Sequence, residues 1–202
     1  MARVRKLVWL LCGIGILVLG SAVLWQRTTS TPTAESEPAI VADFELTGHD
    51  GMVRTEEDLR GTWSLIFFGF THCPDICPTT LADVAQVMDN LGPQASQVQP
   101  VFITVDPERD DVQALADYVP QFHPSFLGLT GTPAQIESTA KTFKVYYEKV
   151  DEPQAPNGYS MGHTSQLFLF NPQNELVRLF SYGTPPSEIT ADMEPRIAAD
   201  SS

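Results

Sequence analysis

Residues 62–70 read TWSLIFFGF, and the next eight, THCPDICP, carry two of the chain's three cysteines. A continuous apolar run of this length, rich in aromatic and branched side chains, predicts a strand buried on both faces. Such a strand belongs at the centre of a sheet. Beyond the cysteines, Leu81, Val84, Ala85, Val87, Met88 and Leu91 recur at helical spacing, and Gly92-Pro93 closes the segment. Residues 98–105 (VQPVFITV) predict a second strand and residues 112–122 a second helix. Strand, helix and strand in that order imply a right-handed parallel crossover. Further on, residues 126–129 read as a short strand. Residues 133–147 read as an amphipathic helix with Ile136, Ala140, Phe143 and Tyr147 on one face. Residues 166–170 and 175–181 flank Asn171-Pro172-Gln173-Asn174, which signals a hairpin, and a short closing helix is expected from Pro185. Upstream, residues 44–46 run into the turn residues His49-Asp50-Gly51. The expectation is an α/β fold with a mixed central sheet flanked by helices: parallel crossovers first, an antiparallel hairpin last.

At 202 residues the chain accommodates one such domain with extensions. Residues 7–25 (LVWLLCGIGILVLGSAVLW) contain no charge and follow Arg3, Arg5 and Lys6. As a helix they reach roughly 28 Å, enough to cross a bilayer, and the basic flank places residues 1–6 on the cytoplasmic side. The run is longer than a signal-peptide core, which favours an uncleaved anchor. Residues 26–41, with TTSTPTAESEP at their centre, read as a flexible linker. Residues 42–195 form the expected domain and residues 196–202 a polar tail. The formal net charge of -13 argues against nucleic-acid binding. The early basic residues all precede the first acidic residue, Glu35, so the part beyond the apolar run is more acidic still.

Chemistry centres on Cys73 and Cys77. They lie between a buried strand and a helix, where unpaired N–H groups and the helix dipole favour thiolate. Pro78 suits a first helical position, and a spacing of four places both sulfurs on one helical face. Three roles compete: a structural disulfide, a dithiol redox site in which Cys73 and Cys77 are the catalytic pair, and a soft-metal site needing further ligands. Of the four histidines, His49 and His123 read as turn residues and His72 as a solvated neighbour of Cys73. His163 differs, because it sits in a glycine-punctuated loop, residues 158–165, entering a strand. The neighbouring Met161 offers a second soft sulfur or a packing group. Cys12, inside the apolar run, reads as a buried thiol.

FTHCPDICPTTL (70–81), TVDPERD (104–110), LTGT (129–132) and the late His163 together resemble the Sco/SenC family of membrane-anchored copper proteins. The resemblance implies a thioredoxin-like fold in which Cys73, Cys77 and His163 bind one copper ion as Cu(I) or Cu(II). It also implies a metallochaperone that delivers copper to the dinuclear copper centre of cytochrome c oxidase during assembly. The alternative is a thiol-disulfide oxidoreductase that reduces the cysteines of that centre. The implied partners are the copper-bearing oxidase subunit and an upstream copper donor or thiol reductant. The implied setting is a bacterial inner membrane, crossed once, with the domain in the periplasm. One departure stands out: the family commonly has an acidic residue immediately before the histidine, and this chain has Gly162. Asp106 in TVDPERD resembles a family acidic position near the site, or else serves as a turn residue.

Overall fold

The computed structural model describes residues 40 and 42–200, all within one compact unit, Ala39–Ser202. The expected span, residues 7–25, and nearly all of the expected linker lie outside the described residues. Among those described, no helix is long and apolar enough to cross a membrane.

The main sheet has seven strands: β1 (Glu45–Gly48), β2 (Val53–Thr55), β3 (Trp63–Gly69), β4 (Val98–Thr104), β5 (Leu127–Thr130), β8 (Leu167–Phe170) and β9 (Leu176–Phe180). Their order is β2-β1-β5-β4-β3-β8-β9. β3, β4 and β5 are parallel, while β1, β8 and β9 run antiparallel to their neighbours. As its composition predicts, β3 is central and every residue in it is buried. Four helices complete the layers: α1 (Ile76–Leu91), α2 (Val112–Tyr118), α3 (Pro133–Thr142) and α4 (Pro186–Asp200). Aromatic rings fill the core, with Phe68 and Phe143 meeting edge to face at 5.2 Å and Phe143 and Phe170 at 5.5 Å. Such geometry aligns the positive ring edge with the negative ring face.

Four sequence expectations need correction. Helix α1 starts at Ile76, so Pro78 is its third residue, still within the turn whose N–H groups have no helical partner. Helix α3 stops at Thr142 rather than Tyr147. Lys144 takes a left-handed backbone (φ 54°), and the Val145 N–H donates back to the Ala140 carbonyl, closing the helix end. The chain then enters a feature absent from the expectation, a separate two-stranded ribbon of β6 (Tyr147–Asp151) and β7 (Tyr159–His163). The glycine-punctuated loop is therefore largely strand. Finally, α4 continues to Asp200 with Ile197 buried, so the expected boundary between domain and tail at 195 falls inside a helix.

Candidate metal centre

The cysteine segment leaves the C-terminal end of β3 and enters α1. It is held from below by Asp110, which accepts hydrogen bonds from the Thr71 backbone N–H (2.9 Å), the Thr71 hydroxyl (2.5 Å) and the Thr104 hydroxyl (2.7 Å). Asp110 is fully buried, and that burial raises its carboxyl pKa above the ordinary value despite the three donors. A turn closes from the Cys73 N–H to the Phe70 carbonyl at 3.3 Å. The Cys73 sulfur then accepts the Cys77 N–H at 3.4 Å, taking up one of the free donors that begin α1. Cys77 is sealed against β3, where Gly69 makes room for it. A Cβ at position 69 would stand 2.9 Å from the Cys77 sulfur and 2.8 Å from the Phe102 ring.

His163 arrives from the other side, and strand pairing explains how. β8 runs antiparallel to β3 with Phe67 opposite Leu167, so the chain entering β8 comes from the end of the sheet where β3 releases the cysteine segment. His163, the last residue of β7, stands at that entry. Its ring is flanked edge-on by Phe67 (6.0 Å) and Phe70 (5.9 Å). Its Nδ1 lies 2.9 Å from the Thr164 carbonyl oxygen, which can only accept, so Nδ1 carries a proton and Nε2 is the nitrogen left to face the cysteines. Nε2 lies 3.6 Å from the Cys77 sulfur.

The ribbon bearing His163 is fastened to the sheet by three residues. Arg109 is ion-paired to Asp106 and donates to the carbonyls of Pro156 (2.9 Å) and Tyr159 (3.1 Å). Its guanidinium lies 3.8 Å from the centre of the Tyr159 ring, whose hydroxyl donates to Asp106 at 3.0 Å. Asp106 therefore does more than make a turn: through Arg109 and Tyr159 it anchors the element that carries the imidazole. TVDPERD stands out in the sequence, but the roles of Arg109, Asp110 and Tyr159 do not. For Arg109 and Asp110 the signal lay in that same motif, whose charges are too dense for a segment following a buried strand unless they are paired, whereas Tyr159 lies outside it.

The two thiols are free and unequal. Cys73 is partly exposed, and its pKa is held well below the thiol range, first by a hydrogen bond from the Cys77 thiol and then, against the opposing effect of burial, by His163 and by backbone N–H groups. Cys77 is driven the other way because it shares that proton with Cys73 and because it is buried beside the resulting thiolate. The remaining histidines have local partners: Gly128 N–H donates to His49 Nδ1 at 3.0 Å, His123 Nδ1 lies 2.7 Å from the Ser125 hydroxyl, and His72 Nδ1 lies 3.0 Å from the Thr71 hydroxyl. Of the four, His163 is the one brought to the cysteines. Among the described residues no three His, Cys, Asp or Glu side chains are already spaced as a finished metal cage. What the fold supplies is an imidazole nitrogen 3.6 Å from the Cys77 sulfur and, beside it, the Cys73 sulfur that accepts the Cys77 N–H, donor types suited to a soft ion.

A mixed sheet with a dithiol segment between its central strand and the following helix defines a thioredoxin-like α/β protein, here with an added imidazole. A family model described as SCO1/SenC matches residues 32–198. The mouse protein "Protein SCO2 homolog, mitochondrial" is 39% identical over 209 residues, covering 98% of this chain and 80% of its own length. The "SCO2-like protein" of Rickettsia felis is 38% identical over 186 residues, covering 89% of each. The structure of Arabidopsis thaliana ScoI with copper bound superposes with a TM-score of 0.75 at 39% identity, covering 80% of this chain and 99% of that one. The chain belongs to the SCO1/SenC family.

Proposed function

We propose that this protein is a metallochaperone that holds one copper ion, as Cu(I) or Cu(II), on Cys73, Cys77 and His163 and delivers it to the dinuclear copper centre of cytochrome c oxidase during assembly. The observation that carries the reading is the approach of His163 Nε2 to within 3.6 Å of Cys77, with Nδ1 engaged by the Thr164 carbonyl so that Nε2 is the nitrogen left for a metal. Two sulfurs favour Cu(I), and the added imidazole extends the set to Cu(II). The kinship with proteins of known copper-bound structure points the same way. Release follows from the architecture. Cys73 is partly exposed, so an incoming thiolate from the oxidase subunit reaches the cargo before the buried Cys77 lets go. In this reading residues 7–25 anchor the chain in a bacterial inner membrane with the domain in the periplasm, a placement that rests on the apolar run and its basic flank.

The test is anaerobic copper loading of the full chain and of His163→Ala, followed by transfer to the reduced copper-bearing domain of the oxidase. One ion per chain, retained against a chelator, weakened by the substitution and passed on to the acceptor, is the expected result. A wild-type chain that is reduced and folded yet retains no copper removes the proposal.

A second reading draws on the inequality of the thiols. Cys73, partly exposed and favouring thiolate, is placed to attack a disulfide in the copper-centre cysteines, and the buried Cys77 to resolve the mixed disulfide. The oxidase cysteines would be reduced and Cys73–Cys77 oxidised, with an external thiol reductant restoring the pair. Reduction of an oxidised oxidase domain that persists in His163→Ala supports this role; no such reduction removes it.

A further inference from the structure

Side chains two apart on a strand face the same way. On β7, Tyr159 meets the Arg109 guanidinium at 3.8 Å and His163 meets the Cys77 sulfur at 3.6 Å. Met161 lies between them and so shares their side of the ribbon. It lines a cavity of about 380 Å³ whose walls include Phe70, Cys73, Pro74 and His163. It also lines a second cavity, of about 200 Å³, beside Asp106 and Lys149. Half-buried and packed against the core, it separates two spaces rather than filling one. The other described methionines have different settings. Met88 and Met193 are sealed in the core, and Met52 is 59% exposed with its sulfur 3.9 Å from Arg54. A thioether is soft, neutral and carried on three rotatable bonds, so one bordering open space beside a cysteine sulfur can swing onto a soft ion.

We propose that Met161 is a further sulfur donor of this site, its thioether taking Cu(I) at the mouth of the cavity between Cys73 and His163. The inference rests on the copper reading above and adds a ligand to it. Coordination by a thioether releases no proton and moves no electron: one Cu–S bond forms and copper stays Cu(I). Because thioethers favour Cu(I) over Cu(II), the added donor biases the site toward the reduced ion. It also keeps the cargo bound while one thiolate is exchanged for an incoming thiol. A purely packing role would be met by leucine, which has similar volume, so Met161→Leu separates the two roles.

The test uses the full chain made with selenomethionine and loaded anaerobically with Cu(I) alone. Selenium-edge X-ray absorption of the wild type should show a selenium–copper path that Met161→Leu abolishes. Loss of Cu(I) to a chelator should be on the order of tenfold faster in that variant, with Cu(II) retention changed by less than about twofold. Circular dichroism and thiol titration establish that the variant is folded with both cysteines reduced. If Met161→Leu does not fold, Met161→Gln takes its place, and the wild-type selenium signal still decides the matter. Copper retained with no selenium–copper path overturns this proposal and leaves the Cys73, Cys77 and His163 site standing. A wild-type chain that retains no Cu(I) overturns both.

Discussion

The two halves of the site are built on opposite principles. The cysteine half is continuous with the core: Cys77 is fully buried against Gly69, and Asp110 holds Thr71 through two hydrogen bonds while also tying down Thr104. The histidine half rides on a two-stranded ribbon outside the main sheet, whose outer face leaves Tyr146 64% and Val150 44% exposed. That ribbon is fastened by the Asp106, Arg109 and Tyr159 cluster together with His163's own ring contacts. The difference teaches where exchange begins. The Cys77 sulfur, set in a close-packed interior, has one position, whereas an imidazole on a ribbon can move away when the polar fastening loosens.

The sharpest way to break the comparison is to remove one donor from each half. Cys77→Ser should abolish copper retention, a loss of more than about a hundredfold, whereas His163→Ala should leave a two-sulfur site weakened by roughly ten- to a hundredfold. Competition against a graded series of chelators measures both, and equal losses would erase the distinction. Next comes Gly69→Ala. The new methyl has no space between Cys77 and Phe102, so the fold should lose about 1–3 kcal/mol, read from urea unfolding, with copper retention falling as the sulfur is displaced. Insertion without a stability cost would show the cysteine half to be softer than argued.

Loosening the ribbon is the third intervention. Arg109→Met removes the bonds to Asp106, Pro156 and Tyr159, so amide exchange should accelerate in β6 and β7 while β3 stays protected. Copper retention should fall about tenfold, within the range expected for losing a group that positions a ligand. Exchange that rises equally in β3 would contradict the separation. A smaller effect is the pH dependence set by Asp110, whose pKa burial raises above the ordinary 3.8. Between 3.8 and its raised value the folded chain holds a proton that the unfolded chain has released. Stability from this group is therefore full below that window and declines as pH rises through it. Asp110→Asn should remove that slope from the pH profile of urea midpoints. The smallest effect belongs to the exposed Lys149–Glu108 pair at 2.8 Å, where Glu108→Ala, which leaves Lys149 over the Tyr159 ring, should move neither the unfolding midpoint nor copper retention.

How far the sequence revealed the molecule differs along the chain for physical reasons. β3, α1, β4 and the β8–β9 hairpin were readable because each carries its own apolar pattern and turn signals within a dozen or so residues. The ribbon was not. Tyr-Ser-Met-Gly-His has no strong alternation, and its strand form depends on pairing with residues 147–151 and on Arg109, 50 residues upstream of Tyr159 in sequence. The same limit applied to the metal centre. Cys73 and Cys77 identify each other by spacing, but His163 is 86 residues from Cys77; its glycine-punctuated loop set it apart from the other histidines, and only the resemblance assigned it to the metal.

One further placement came from the fold alone. Gly162, the departure from the family pattern, stands opposite Glu148 in the ribbon, and a Cβ there would lie 3.7 Å from the Glu148 carboxylate. By itself, then, the sequence determined the class of fold, the central strand and the dithiol at the head of a helix, because local periodicity and chain punctuation are properties of neighbouring residues. Only the tertiary structure decided which histidine meets the sulfurs, which nitrogen it offers, and which arginine and carboxylates hold it there. Those depend on antiparallel pairing and buried charge compensation between segments that are distant in the chain.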